Sequence, residues 1–125
     1  DTVFSPPLIE FYLKDDNKND PLITEDRLSV MGYKNLSLIK QYTRETNVIV
    51  SDLFNKIGIT LVDFKLEFGK TVDGKIVVAD EISPDGCRLR NKETNMSMDK
   101  DLFRKGEGDI IDAYSEIMEK LIEIC

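Results

Sequence analysis

Hydrophobic positions along the chain change period from one segment to the next, and each change marks an element. Pro7 to Leu13 reads PLIEFYL, an apolar and aromatic run that predicts a strand, and the DDNKNDP after it carries the Asx side chains and proline of a loop. Thr24 is placed to cap a short helix over Glu25 to Met31, with carboxylates in the first turn and Gly32 at the end. From Asn35, a favourable N-cap residue, apolar side chains recur at Ile39, Tyr42, Ile49, Leu53 and Ile57, and Gly58 stands in the C-capping position, which predicts one long helix. Ile59 to Gly69 then alternates, with Val62, Phe64, Leu66 and Phe68 on one face and Asp63, Lys65 and Glu67 on the other, the pattern of a strand with one face in the core. Asp73-Gly74 is a two-residue hairpin signal, and Lys75 to Asp80 makes the return strand through Ile76, Val77 and Val78. Gly106 and Gly108 interrupt the chain before a last amphipathic helix bearing Ile110, Tyr114, Ile117, Met118 and Leu121.

These elements predict an α+β fold, an antiparallel sheet with helices packed on it, and 125 residues suffice for a single domain with its own core. Hydrophobic residues at 41% and charged residues at 33% are mixed along the chain, as in a folded globular protein. The formal net charge of -7 repels nucleic-acid phosphates and anionic membrane surfaces and argues against either as a partner. A local cluster of lysine and arginine, or a bound cation, can still reverse the field inside a cleft and accept a small phosphorylated substrate. Cys87 and Cys125, with no histidine in the chain, build neither a disulfide framework nor a zinc site, so reduced thiols and a cytoplasmic location are expected. The longest aliphatic run, Ile76 to Ala79, is far short of the roughly 20 residues that cross a bilayer. The chain starts at Asp1 with neither methionine nor the basic and apolar regions of a signal peptide, so a fragment of a longer protein is expected.

The hairpin carries the first candidate chemistry. With Asp73 and Gly74 as the two central turn residues, Val72 faces Lys75 and, further along the ladder, Glu67 faces Asp80 on the same side of the sheet. Directly opposed residues have Cβ atoms about 4.5–5.5 Å apart, and two like charges at that range call for compensation. A divalent cation supplies it: Mg²⁺ takes a few carboxylates together with phosphate oxygens and water. The alternative is a solvated hairpin face on which Lys65 partners one of the two acids. A bulge at Gly69 would break the pairing.

LVDFKLEFG at Leu61 to Gly69 and DEISPDGCR at Asp80 to Arg88 resemble the signature of the SAICAR synthetase family. The similarity continues upstream through YLKDDNKNDP at Tyr12 to Pro21 and downstream through MDKDLFR at Met98 to Arg104, so it covers nearly the whole chain. The resemblance implies that residues 1–125 are the C-terminal lobe of an ATP-grasp-like enzyme whose N-terminal lobe is absent from this chain. It implies a ligase of purine biosynthesis that joins carboxyaminoimidazole ribotide to L-aspartate, with ATP cleaved to ADP and phosphate, through an acyl phosphate that the aspartate amine attacks. ATP and Mg²⁺ are the cofactors it implies, the three small molecules the partners, and a homodimer the family expectation. With one lobe missing and no glycine-rich phosphate loop in the sequence, the chain alone is expected to be inactive.

Carried over residue by residue, the resemblance implies that Glu67 and Asp80 hold Mg²⁺ and the nucleotide phosphates. It implies that Lys65, on the same strand face, joins them in catalysis and binds the ribotide. Arg88, just past the Asp85-Gly86 turn, offers a bidentate fork to a phosphate or carboxylate, and Asp85 is a substrate-binding candidate beside it. On chemistry alone, an ion pair of Arg88 with Asp85 or Glu81 ranks first. Lys100 and Arg104 lie four apart on one helix face if Asp99 caps a turn there, which makes a phosphate clamp or else a solvated face balanced by Asp99 and Asp101. Asn19 stands before Asp20-Pro21 where the family commonly carries histidine, which leaves Asp20 a turn residue. Two other classes compete: a non-catalytic binding or assembly module using the acidic hairpin as a surface, and a lobe of a kinase-like phosphotransferase that binds Mg-ATP without any need for aspartate.

Overall fold

The computed structural model describes residues 2–104, 106 and 108–125. Among the described residues six strands and four α-helices follow in the order β1 (Phe11–Tyr12), β2 (Leu22–Ile23), α1 (Glu25–Val30), α2 (Leu36–Lys56), β3 (Ile59–Phe64), β4 (Phe68–Lys70), β5 (Ile76–Val78), β6 (Cys87–Asn91), α3 (Lys100–Arg104) and α4 (Ile110–Ile124). The fold is α+β and every described strand pair is antiparallel, but the strands form three two-stranded ladders, β1-β2, β3-β6 and β4-β5, in place of the single sheet expected. The chain divides into two compact units, residues 1–44 and 45–125, with the division inside α2. No helix among the described residues is long and apolar enough to cross a membrane.

In the first unit the strand predicted over Pro7 to Leu13 shortens to two residues, with Phe11 paired to Ile23 and Tyr12 to Leu22, and Leu13 N adds one bond to Pro21 O at 3.0 Å. The DDNKNDP segment turns through a 3-10 helix at Asp16–Lys18 capped by the Asp15 side chain. Asp20 accepts from the Asp15 backbone N–H at 2.8 Å, a turn role. Thr24 caps α1, its hydroxyl accepting from Arg27 N at 3.2 Å. The helix ends in a Schellman motif: Tyr33 N donates to Leu28 O and Gly32 N to Ser29 O, both at 3.0 Å, with Gly32 at φ 90. Leu28 is buried beneath it.

The second unit owes its core to residues from α2, β3, β6, α3 and α4, with Ile59 and Leu89 wholly buried at its centre. The inward face here is Val50 and Phe54 of α2 with Ile57 just past its end; Ile49, expected inside, is 68% exposed. α4 buries Ala113 and Ile117 and packs Tyr114 and Leu121 against the core, whereas Met118 faces outward. Gly58, at φ 76, ends α2 as predicted.

The strand predicted over Ile59 to Gly69 is one extended path shared between two partners. Its first part pairs with β6, a strand absent from the sequence reading; Cys87 and Leu89 point inward from β6 while Arg88 lies exposed between them. A bulge between Leu61 and Asp63 lets Val62 out of the ladder, so Ile59 is buried, Leu61 and Phe64 are partly buried against the core, and Val62 is exposed where the core face was predicted. The bulge reconciles an odd-numbered apolar phase at Ile59 and Leu61 with an even-numbered one from Phe64 onward. The path then leaves β6 and takes β5 as partner from Glu67 to Thr71.

The β4-β5 register differs by one residue from the expected one. Phe68 pairs with Val78 and Lys70 with Ile76, Thr71 N donates to Lys75 O at 2.8 Å, and Gly74 N donates to Thr71 O at 2.9 Å. The loop is therefore three residues, Val72 to Gly74, with Gly74 at φ 90 and Asp73 not in the left-handed region that a two-residue type I′ turn requires of both. Thr71 reinforces this closure: its hydroxyl accepts from Lys75 N at 2.9 Å. Such a slip exchanges faces, and Ala79, not Asp80, stands opposite Glu67, its N–H donating to Glu67 O at 2.8 Å.

After β6 the chain turns through Asn91 to Met96, with the Asn91 side chain accepting from Glu93 N and Thr94 N. It returns along β6 through an Arg90-Ser97 bridge and a Met98 N to Leu89 O bond of 2.9 Å. This delivers Asp99 to the buried side of β6. Asp99 is 2% exposed and both carboxylate oxygens are used: Oδ2 accepts from Leu89 N at 2.6 Å and Oδ1 from Asp101 N at 2.7 Å, the N-cap of α3. Replacing Asp99 by alanine leaves two N–H groups without acceptors, and asparagine turns an amide donor toward one of them. Both variants are expected to lower unfolding stability by about 2–4 kcal/mol, read from urea midpoints. A loss below about 0.5 kcal/mol for either would refute the double-acceptor role.

Candidate functional site

The loop from Asp80 to Asp85 is pinned at both ends to the place where the long strand path changes partner. At its start Ala79 N donates to Glu67 O, and at its end Lys65 N donates to Gly86 O, both at 2.8 Å. The two anchor points are two residues apart, so Lys65, Glu67, Asp80, Asp85 and, one step beyond, Arg88 are gathered around one loop. Inside it Asp80 Oδ1 accepts from Glu81 N at 2.8 Å, Ser83 Oγ donates to Glu81 Oε1 at 3.1 Å, and Gly86 N donates to Ser83 O at 3.0 Å. The turn chemistry of Ser83-Pro84-Asp85-Gly86 thus shapes the loop from within.

Lys65 Nζ lies 3.4 Å from Glu67 Oε1, the lysine partnership that the solvated-face alternative anticipated. Glu67 and Asp80 do not oppose each other in the ladder, so the face-to-face pairing expected from a two-residue turn is corrected. What joins them is the neighbouring position of Asp80 to Ala79, the residue hydrogen-bonded to Glu67. Their donor chemistry still suits Mg²⁺: both are hard oxygen ligands, and Asp80 is exposed on a loop where its Oδ1 accepts from Glu81 N. No group of three metal-ligating side chains occurs among the described residues.

Arg88 pairs with neither Asp85 nor Glu81. Its Nη1 donates to Asp63 Oδ2 at 2.9 Å across the β3-β6 ladder, and its Nε lies 3.4 Å from Asp101 Oδ2 on α3. Asp101 Oδ1 in turn lies 3.3 Å from Arg104 Nη1. The two arginines are therefore brought together on one carboxylate. Lys100 opens α3 and is exposed, and no described hydrogen bond or ion pair involves it. Asp85 Oδ1 accepts from the Tyr114 hydroxyl at 2.8 Å, which ties the loop to α4. Burial, reinforced by Asp85, holds the Tyr114 phenol well above its usual value, so it stays a donor.

Asp99 caps α3 as the sequence implies, its Oδ1 accepting from Asp101 N. Asp63, Asp101 and Tyr114 join the candidate residues through Arg88 and Asp85, links that depend on β6 pairing with β3 and on the chain returning beneath it and so have no local signal in the sequence.

Cys87 lies beside Arg88 on the inward face, and burial first, then Asp63 and Asp99, push its thiol from 9.0 up to about 11. A thiol raised in the folded state favours folding fully below its unfolded value, and that contribution is lost as pH rises from about 9 through 11. At pH 8 a soluble alkylating reagent is expected to modify exposed Cys125 rapidly and Cys87 only on unfolding, giving one added mass in native conditions and two in urea. Equal native labelling of both cysteines would contradict the buried placement.

A family model described as SAICAR synthetase matches residues 1–121. The phosphoribosylaminoimidazole-succinocarboxamide synthase of Oceanobacillus iheyensis is 49% identical over 121 residues, covering 94% of this chain and 51% of that protein. The enzyme of the same name from Nautilia profundicola is 46% identical over 121 residues, covering 94% of this chain and 52% of that protein. Among solved structures, a SAICAR synthetase (Type-2) in complex with ADP superposes with a TM-score of 0.86 at 46% identity, covering 92% of this chain and 50% of that one. The SAICAR synthetase of Pyrococcus horikoshii OT3 (Type-1) does so with a TM-score of 0.86 at 45% identity, covering 94% and 52%. The chain spans about half the length of the curated relatives it matches.

Proposed function

The chain belongs to the SAICAR synthetase family, and from that membership we propose that it is the C-terminal, ATP-grasp-like lobe of a cytoplasmic ligase joining carboxyaminoimidazole ribotide to L-aspartate with cleavage of ATP. The observation that carries the reading is the loop pinned at Lys65 and Glu67, whose ends bring Asp80 beside the Lys65-Glu67 pair, while Arg88 and Arg104 meet separately on the Asp101 carboxylate. The neighbouring structure in complex with ADP supports nucleotide binding. The N-terminal lobe of the same enzyme and a second copy are the macromolecular partners in this reading.

Glu67 and Asp80 would hold magnesium, and when bound the metal neutralises charge on the nucleotide phosphates. Phosphoryl transfer needs little covalent help from protein, so positioning and charge stabilisation do most of the catalysis. Lys65, tethered to Glu67, is set to meet the phosphoryl group passing to the ribotide carboxylate. Arg88 and Arg104 offer guanidinium donors to the ribotide phosphate, with Lys100 adding a mobile cation at the start of α3. Asp85, held by Tyr114, sets the loop end against which the substrate rests. Amide formation then follows as the aspartate amine displaces phosphate from the acyl phosphate.

Calorimetric titration of Mg-ATP into the wild type is expected to give a binding heat that falls at least about tenfold in apparent affinity for Glu67→Gln and Asp80→Asn. Equal heats for the three proteins remove the metal assignment. The chain alone, incubated with ATP, Mg²⁺, L-aspartate and the ribotide, is expected to yield no amide product, while the full two-lobed enzyme does. Product from the isolated chain would overturn the assignment of a missing catalytic lobe.

A further inference from the structure

We propose that Asp101 is a positioning residue that presents Arg88 and Arg104 as a matched guanidinium pair to a single phosphomonoester, and that Asp99 sets Asp101 in its place. This rests on the reading above that the two arginines bind the ribotide phosphate.

Asp101 engages one guanidinium with each oxygen, Arg88 through Oδ2 at 3.4 Å and Arg104 through Oδ1 at 3.3 Å. Asp63 steadies Arg88 from the other side at 2.9 Å. Nη2 of either arginine donates in no described hydrogen bond, so each retains N–H groups for a ligand. Two long cationic side chains on different elements would otherwise separate by repulsion and rotamer freedom, and a shared carboxylate holds them at a common place.

The backbone shows why the carboxylate is where it is. The Asp99 side chain accepts from Leu89 N, the amide next to Arg88, and from Asp101 N. One buried group thus fixes the spacing between the β6 residue that carries one guanidinium and the α3 residue that anchors both. α3 has five residues and no stability of its own, so this clamp and its packing determine where Asp101 stands.

Charge and geometry predict opposite signs for removing Asp101, and the test uses that. Loss of a negative charge beside two arginines on its own strengthens anion binding, whereas loss of alignment weakens it. Ribose 5-phosphate is titrated into wild type, Asp101→Asn, Asp101→Glu and Arg88→Ala, following the arginine Nε–Hε resonances, with urea midpoints measured alongside. We expect Asp101→Asn to bind about tenfold more weakly than wild type at an almost unchanged urea midpoint, and Asp101→Glu to recover to within about threefold. Binding to Asp101→Asn that equals or exceeds wild type, or an Asp101→Glu as weak as Asp101→Asn, overturns the positioning role while leaving the arginine reading intact. A wild type that does not bind, or an Arg88→Ala that binds as well as wild type, overturns the arginine reading and the inference with it.

Discussion

One buried carboxylate, Asp99, ties β6 to α3 in the second unit. Asp99 has almost no contact with solvent, and an ionised group in that position is tolerable only when its oxygens are fully engaged. Both are, by backbone N–H groups from β6 and from the first turn of α3. The bonds are charge-assisted and therefore stronger than neutral ones, and each removes an N–H that would otherwise be left without a partner. α3 is too short to persist by its own propensity, so its attachment to β6 is tertiary in origin. The pairing of Arg88 with Asp101, and of Asp101 with Arg104, follows from that attachment.

The helices were legible because their signals are local. Thr24 before α1, Gly32 and Gly58 after α1 and α2, and the apolar spacing of α4 each act within one or two turns, and the structure uses them as the sequence implies except at Met118, which turns outward. The strands were less so, because a strand is defined by a partner that can be distant in sequence. β6 was missed since Cys87-Arg88-Leu89-Arg90 shows only two apolar positions, and their burial depends on pairing with β3. The Asp73-Gly74 hairpin was found, but those two residues serve equally well as the end of a three-residue loop, and the choice between the loops shifts every pair in the ladder by one. The bulge at Val62 was visible as a change of apolar phase between Leu61 and Phe64, a sign that the path serves two faces and two partners.

That slip bears on the site more than on the fold. A ladder with Glu67 opposite Asp80 would have set two carboxylates side by side on a rigid surface. The actual ladder sets Glu67 opposite Ala79 and leaves Asp80 at the root of a loop whose two ends are tied to Glu67 and Lys65. Backbone bonds at both ends restrict where the loop can go, while its side chains stay exposed to a ligand. Loops held in this way by a packed scaffold commonly carry binding groups, because the scaffold supplies position and the loop supplies access.

The acidity of the chain does not oppose the phosphate binding proposed for it once distances are considered. The net charge of -7 is spread over the whole surface, and beyond a screening length of about 8–10 Å its field is largely lost at physiological salt. Where the two arginines meet, Asp63 and Asp101 stand against Arg88 and Arg104, and these four charges sum to zero. A phosphate reaching this quartet meets no net local repulsion, and it meets aligned N–H donors. At about 4 Å and an effective dielectric near 20, one guanidinium contributes about 4 kcal/mol of Coulomb attraction before desolvation is subtracted. Distant carboxylates contribute far less, so arrangement and not composition decides the sign of the interaction. Asp63 and Asp101 offset part of that attraction, and in return they fix the directions in which the remaining donors point, which is what a tetrahedral dianion recognises.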